Sequence, residues 1–295
     1  MLTQMFHLHA LSALHVGVGQ AIGTVDLPIA RSKATNLPLV PGSAIKGVLR
    51  DEFDAQDERI SKTLFGPASI NENADAHAGA LALGDAHLLL LPVRSLAGVM
   101  ALATCPFVLS RYAADLQRTG VVALPAVPSI APGHAAWTEI SALVAAERKI
   151  ILDDLDLSEA KADAQPWADR LAKALYPGDA AWQEQFIQHF AVLSDDDFSF
   201  LADTATEVRA RIRIDDATGV VKQGALWYEE NLPAESVLWG VIGFGRSRVR
   251  HAAQSAADIQ QSFNTGLPSD PLLQIGGKAT VGRGLVRFVS QADVA

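Results

Sequence analysis

A single cysteine, Cys105, stands in the 295 residues, so an internal disulfide framework is excluded and a reducing compartment is implied, where a lone thiol packs like a small apolar group. Long hydrophobic runs are also missing. The apolar stretch from Leu88 to Leu109 is broken by Pro92, Arg94 and Pro106, and the opening MLTQMFHLHA lacks the basic and apolar regions of a secretory signal. The expectation is a cytoplasmic chain with no membrane partner. No GxGxxG fingerprint follows the first strand, because the glycines fall at 17, 19 and 23. Gly277-Lys278 runs into Ala279 with no glycine five residues upstream of Gly277, which excludes a Walker A loop. A basic excess is absent too, and a net charge of −9 argues on its face against a polyanionic partner.

The distribution of charge says otherwise. Residues 15–50, 207–223 and 276–288 hold 11 of the 24 basic residues and 4 of the 33 acidic ones, so positive potential is confined to a few segments. The first is HVGVGQAIGTVDLPIARSKATNLPLVPGSAIKGVLR, with glycines 17, 19 and 23, the cations Arg31, Lys33, Lys46 and Arg50, and one acid, Asp26. Upstream of it, Phe6, Leu8 and Ala10 alternate with His7 and His9, which reads as a half-buried strand with a solvated histidine face. The His-x-His pair lacks a cysteine or a nearby third histidine for a metal. Downstream, Ser43 is placed to cap a helix whose stripe is Ile45, Val48, Leu49 and Phe53. Lys46 and Arg50 then share another face, which suits either a phosphate or plain solvent.

Residues 54–80 read as an exposed insertion, followed by two strands within 81–104, a helix from Pro106 closed by Gly120, an irregular Pro-rich segment at 121–137, and helices interrupted at Pro166 and Pro177-Gly178 across 158–192. Asp195, Asp196 and Asp197 behind Ser194 favour a helix start over a metal site, since adjacent side chains diverge. In EVRARIRIDDATGVVKQGALWYEE the alternation puts Val208, Ala210, Ile212 and Ile214 on one face and Arg209, Arg211 and Arg213 on the other. That is a hairpin whose arginines either guard an edge or meet a polyanion. The closing QIGGKATVGRG, with Gly276, Gly277, Lys278 and Arg283, is either a tight turn or a place where backbone approaches a phosphate. The order of elements indicates an α+β fold with an antiparallel sheet.

Together these strings, with LFG at 64–66, GDAHLLLLPVRSLAGV and LSDDDFSF, resemble the RAMP superfamily of CRISPR effector proteins, most closely the backbone subunit of type III-B (Cmr) complexes. The resemblance spans nearly the whole chain. It implies one RAMP domain over 1–295: a modified ferredoxin-like (RRM-like) palm from 1–53, 81–157 and 234–295, a finger-like insertion at 54–80, a helical insertion at 158–206 and a thumb-like hairpin at 207–233. The implied partners are a CRISPR RNA guide, complementary target RNA, further copies of the chain in a stacked filament and other Cmr subunits. The implied activity is endonucleolytic cleavage of the target RNA with a divalent metal, Mg²⁺ or Mn²⁺, through an aspartate in the first loop. The matching position is Asp26, as both catalytic residue and metal ligand. RNA contacts are implied for His15, Gly17, Gly19, Arg31, Lys33, Ser43, Lys46, Arg50, Arg209, Arg211, Gly276, Gly277, Lys278 and Arg283. The competing readings are a non-catalytic filament subunit, a metal-independent CRISPR-repeat endoribonuclease with His15 as general base, and a small-molecule phosphate enzyme.

Overall fold

The computed structural model describes residues 1–20, 23–67, 76–249, 253–268 and 270–290. In chain order the elements are β1 (Leu2–Ala10), β2 (Leu39–Val40), α1 (Gly42–Gln56), α2 (Glu58–Phe65), β3 (Leu81–Leu83), β4 (Ala86–Arg94), β5 (Met100–Thr104), α3 (Pro106–Arg118), β6 (His134–Trp137), β7 (Lys149–Leu152), β8 (Leu155–Glu159), α4 (Gln165–Leu175), α5 (Ala180–His189), β9 (Phe190–Leu193), α6 (Asp195–Thr204), β10 (Glu207–Ile214), β11 (Val221–Asn231), β12 (Val237–Phe244), α7 (Ala256–Gly266), β13 (Leu272–Gln274) and β14 (Leu285–Ser290).

The main sheet runs β13-β14-β1-β12-β4-β5-β9-β6-β8-β7, with β2 on β4 and β3 on β12. Its pairs are antiparallel except β5–β9 and β6–β8. Within it, β1-α1-β4-β12-α7-β14 is a β-α-β-β-α-β unit with strand order β14-β1-β12-β4, the ferredoxin-like arrangement, and β1 and β12 lie at its centre.

One face of this unit is closed by α1 and α7. Phe6 stacks on Phe288 at 5.3 Å, Phe53 stacks on Phe263 at 5.7 Å, and a Cβ at Gly266 would overlap the Phe53 ring, so only glycine lets α7 come this close. The other face carries the histidines, and here the expected solvated face is wrong. His7 and His9 are buried because α3 and the end of α4 form a further layer over them. His7 Nε2 lies 2.9 Å from the Tyr112 hydroxyl, His9 Nε2 lies 2.7 Å from Glu235, and the Trp239 indole N–H donates to Asp115 at 3.1 Å. Burial pushes the His7 pKa down to about 4, so its imidazole is neutral. Strand alternation cannot distinguish water from a second layer of helices, because both accept polar side chains that find partners.

Three further expectations change. Ser43 is not the cap of α1: Pro41 holds that position without a side-chain bond, Ser43 is exposed in the first turn, and the free Gly42 N–H donates to Asp85 Oδ1 at 2.8 Å. Residues 58–65 of the expected insertion form α2, capped by Asp57, with Leu64 and Phe65 in the core; residues 68–75 lie outside those described. In the helical stretch, Pro166 opens α4 in its first turn, and Phe190–Leu193 is a strand fully inside the sheet. The aspartate triplet does start α6. Ser194 Oγ accepts from Asp197 N–H at 3.1 Å, Asp195 accepts from Phe107 N–H at the start of α3, and Asp197 accepts from Gly133 N–H, both at 2.8 Å. Ser194→Ala is therefore expected to cost about 1 kcal/mol in urea denaturation, and Ser43→Ala less than about 0.5 kcal/mol. Equal losses would contradict these assignments.

Candidate nucleic-acid interface

Three segments distant in sequence meet at one end of the sheet: the first loop after β1, the base of the β10–β11 hairpin and the closing loop between β13 and β14. Leu14 bridges to Leu232, Leu27 to Glu229 and Gly17 to Ile29. Gly277 N–H donates to the His15 carbonyl and Gly284 N–H to that of Ala13, both at 2.9 Å. Asp26 is held at this junction, where its Oδ2 accepts the Tyr228 backbone N–H at 2.7 Å. The neighbouring Leu27 N–H donates to the Tyr228 carbonyl at 3.0 Å. One oxygen of the Asp26 carboxylate thus anchors the loop to the hairpin, and among the described residues the other accepts no hydrogen bond.

His15 is buried at the same junction. Its Nδ1 lies 2.7 Å from the Glu230 carbonyl oxygen, which can only accept, so Nδ1 carries a proton and Nε2 is the other ring nitrogen. The glycines around it serve packing first. A Cβ at Gly17 would come within 2.7 Å of His15 Nε2, and a Cβ at Gly276, where φ is +84°, would overlap the His15 carbonyl. Gly276 thereby seats the closing loop on the first. Gly19, with φ +95°, has open space beside it.

The cations divide into those used by the fold and those left over. Arg31 donates to the Asn36 and Ala202 carbonyls, to Asp203, and to Glu230 at 2.6 Å, while the second Glu230 oxygen accepts Ile29 N–H at 3.1 Å. That guanidinium is engaged inside the fold. Arg50 likewise bonds the Gly66 carbonyl and pairs with Asp54. Arg209 pairs with Glu207 at 2.7 Å. Lys33, exposed, and Lys46, half-buried on α1, form no ion pair among the described residues. Arg211, Lys278 and Arg283 gather around Glu229, a buried acid that sequence reading did not single out. Its one visible signal is Glu229-Glu230 at the end of a strand opposite Arg209 and Arg211.

The hairpin itself stands away from the core. Val208, Ile212 and Ile214, expected on its apolar face, and Leu226 and Tyr228 on the partner strand are each 41–55% exposed. The palm sheet is unlike an RRM sheet that stacks bases on its open face, because helices cover both of its faces. Among the described residues no group of three or more His, Cys, Asp or Glu is arranged to hold a metal, and no helix is long and apolar enough to cross a membrane.

The profile of the RAMP superfamily matches residues 7–287. The chain belongs to the RAMP superfamily. Among RAMP proteins it is 35% identical over 286 residues, 95% of this chain and 92% of the relative, to the CRISPR system Cmr endoribonuclease Cmr4 of Pyrococcus furiosus. A shorter match, 42% over 53 residues, joins 17% of the chain to 22% of the Cms endoribonuclease Csm3 of Methanothermobacter thermautotrophicus. The crystal structure of oligomeric Cmr4 from Pyrococcus furiosus superposes with a TM-score of 0.74 at 26% identity, covering 100% of both chains. A chain of the type III-B Cmr-beta complex bound to cognate target RNA shares the fold, with a TM-score of 0.73 at 18% identity over 98% of this chain and 97% of that one. The α+β RAMP architecture is thus established along the whole length.

Proposed function

We propose that this RAMP protein is the guide-RNA-binding backbone subunit of a type III-B Cmr complex in the cytoplasm, and that it cleaves complementary target RNA at Asp26. It would stack with copies of itself and with other Cmr subunits along the guide. The observation that carries this reading is the bond from Tyr228 N–H to Asp26, which ties the loop acid to the base of a projecting hairpin. Likeness to Cmr4 over 95% of the chain supports the reaction class.

RNA brings its own nucleophile. The 2′-hydroxyl attacks the adjacent phosphorus, the P–O5′ bond breaks, and a 2′,3′-cyclic phosphate and a 5′-hydroxyl result. The protein's part is to hold the sugar and phosphate in line and to place one acidic or basic group beside the hydroxyl. Asp26 offers one free carboxylate oxygen for this, with its loop fixed by the other. A divalent ion fits such a site when RNA phosphate oxygens complete its shell, since Mg²⁺ is commonly held by one or two carboxylates plus substrate phosphates. When bound, Mg²⁺ or Mn²⁺ would offset the charge developing on the phosphate. Asp26 would be its protein ligand.

The His15 tautomer gives a second reading substance: Nε2 is free to accept a proton in a metal-independent cleavage. The discriminating experiment maps cuts on a guide-complementary RNA with the purified complex, in Mg²⁺, in Mn²⁺ and in EDTA. Regularly spaced cuts that need a divalent ion support the first reading. Cleavage of precursor guide RNA in EDTA by the isolated chain, lost in His15→Ala, would replace it.

Lys46 is the cation of α1 left for phosphate. Lys46→Ala is expected to weaken RNA binding and flatten the dependence of log K on log salt by about 0.7. Arg50→Ala, which removes a tie to Gly66, should leave that slope unchanged. The reverse outcome would exchange their roles.

A further inference from the structure

Glu229 is 1% exposed and faces three cations without a hydrogen bond to any: Arg211 Nη2 at 3.5 Å, Lys278 Nζ at 3.8 Å and Arg283 Nε at 3.9 Å. Glu229 Oε1, Arg211 Nη2 and Arg283 Nε are all buried and, among the described residues, have no hydrogen-bond partner. Charged groups taken from water need good hydrogen-bond geometry to recover what desolvation costs, and here they lack it. The surplus is also of one sign, three cations against one anion. Lys278 is held over Glu229 by a backbone at φ +69° and ψ 27°, a conformation uncommon outside glycine, inside a tight turn closed by Val281 N–H on the Lys278 carbonyl at 3.1 Å. The Lys278 and Arg211 side chains are 35% and 30% exposed, so the cluster is open to a ligand on their side and closed at Glu229.

We infer that Arg211, Lys278 and Arg283 form a cradle for one phosphodiester of bound RNA, and that Glu229 is a built-in competing anion that weakens its grip. This rests on the RNA-binding reading above. Phosphate oxygens arriving on the exposed side of Lys278 and Arg211 would supply acceptors to a cluster short of them, and a guanidinium is suited to them by its fork of donors. Glu229 holds the cations together while no RNA is bound and then repels the incoming phosphate. In a stack of identical subunits each grip is multiplied along the strand, and a fixed penalty in every copy keeps the RNA exchangeable.

The test uses the full chain and two RNA arms: a single-stranded guide, and a complementary target added to guide-loaded complex. Glu229→Gln should tighten binding on the order of tenfold, the scale of one close charge pair, in the arm whose strand supplies the phosphate. The salt slope in that arm should steepen by about 0.7. Lys278→Gln should loosen the same arm and flatten its slope by a similar amount. If Glu229→Gln loses its thermal transition, Glu229→Asp takes its place, with a smaller tightening expected because the charge is withdrawn by one methylene rather than removed. A folded Glu229 variant that binds no tighter in either arm overturns the competing-anion role, and an unchanged slope in Lys278→Gln overturns the cradle. A wild-type chain that binds neither RNA overturns the proposed function itself.

Discussion

Asp26→Asn is expected to lower target-RNA cleavage by the assembled complex by at least about 10²-fold, the usual worth of a positioned proton-transfer or metal-placing group. Guide and target affinities should stay within about twofold. The substitution is nearly isosteric, and its amide oxygen can still accept the Tyr228 N–H, so the first loop keeps its tie to the hairpin. What it loses is the negative charge on the oxygen facing away from that bond. Asp26→Ala also loses the anchor and should cost a further 1 kcal/mol or so of stability. Comparing the two variants in Mg²⁺ and in Mn²⁺, with assembly checked by sedimentation, separates chemistry from architecture. Undiminished cleavage by Asp26→Asn in either metal would make the subunit a structural one and move the nuclease elsewhere in the complex.

Arg31→Ala is the largest expected loss of stability, about 3 kcal/mol by urea denaturation. Arg31 and Glu230 expose only 17% and 9% of their side chains, and removing the guanidinium strands a buried carboxylate together with the carbonyls of Ala202 and Asn36. The pair also joins three parts of the chain that build the interface: the first loop, α6 and the base of the hairpin. Lys33→Ala, two residues away and exposed, should change stability by less than about 0.5 kcal/mol. Should Arg31→Ala unfold like the wild type yet bind RNA poorly, Arg31 would act through the RNA contact expected of it and not through the fold.

These two residues show how the interface is written in the chain. In the sequence Arg31 and Lys33 are equivalent, since both are cations in a glycine-rich loop. They differ because the Arg31 partners are 171 and 199 residues away, at Ala202 and Glu230. Glu229 was invisible for the same reason. An acid near the end of a strand has no meaning until the closing loop brings Lys278 and Arg283 against it. His7 and His9 were placed correctly on one face of a strand, but the layer that buries them comes from α3 and α4, over a hundred positions on in the case of His7 and Tyr112.

The amino-acid order by itself determined what is local: the alternation that makes β1 and the hairpin, the stripe Ile45, Leu49 and Phe53 that buries α1, the turn at 215–219, and a concentration of positive charge in three segments despite a net charge of −9. It also carried the strings by which the RAMP architecture was expected. Only the tertiary structure decided which cations are paired inside the fold and which are not, and that Asp26 sits against the hairpin rather than in a free loop. The physical reason is one of range. Backbone preference and side-chain period act over a few residues, whereas the partner that neutralises a charge or anchors a carboxylate is chosen by whichever distant segment the packed sheet brings within about 3 Å.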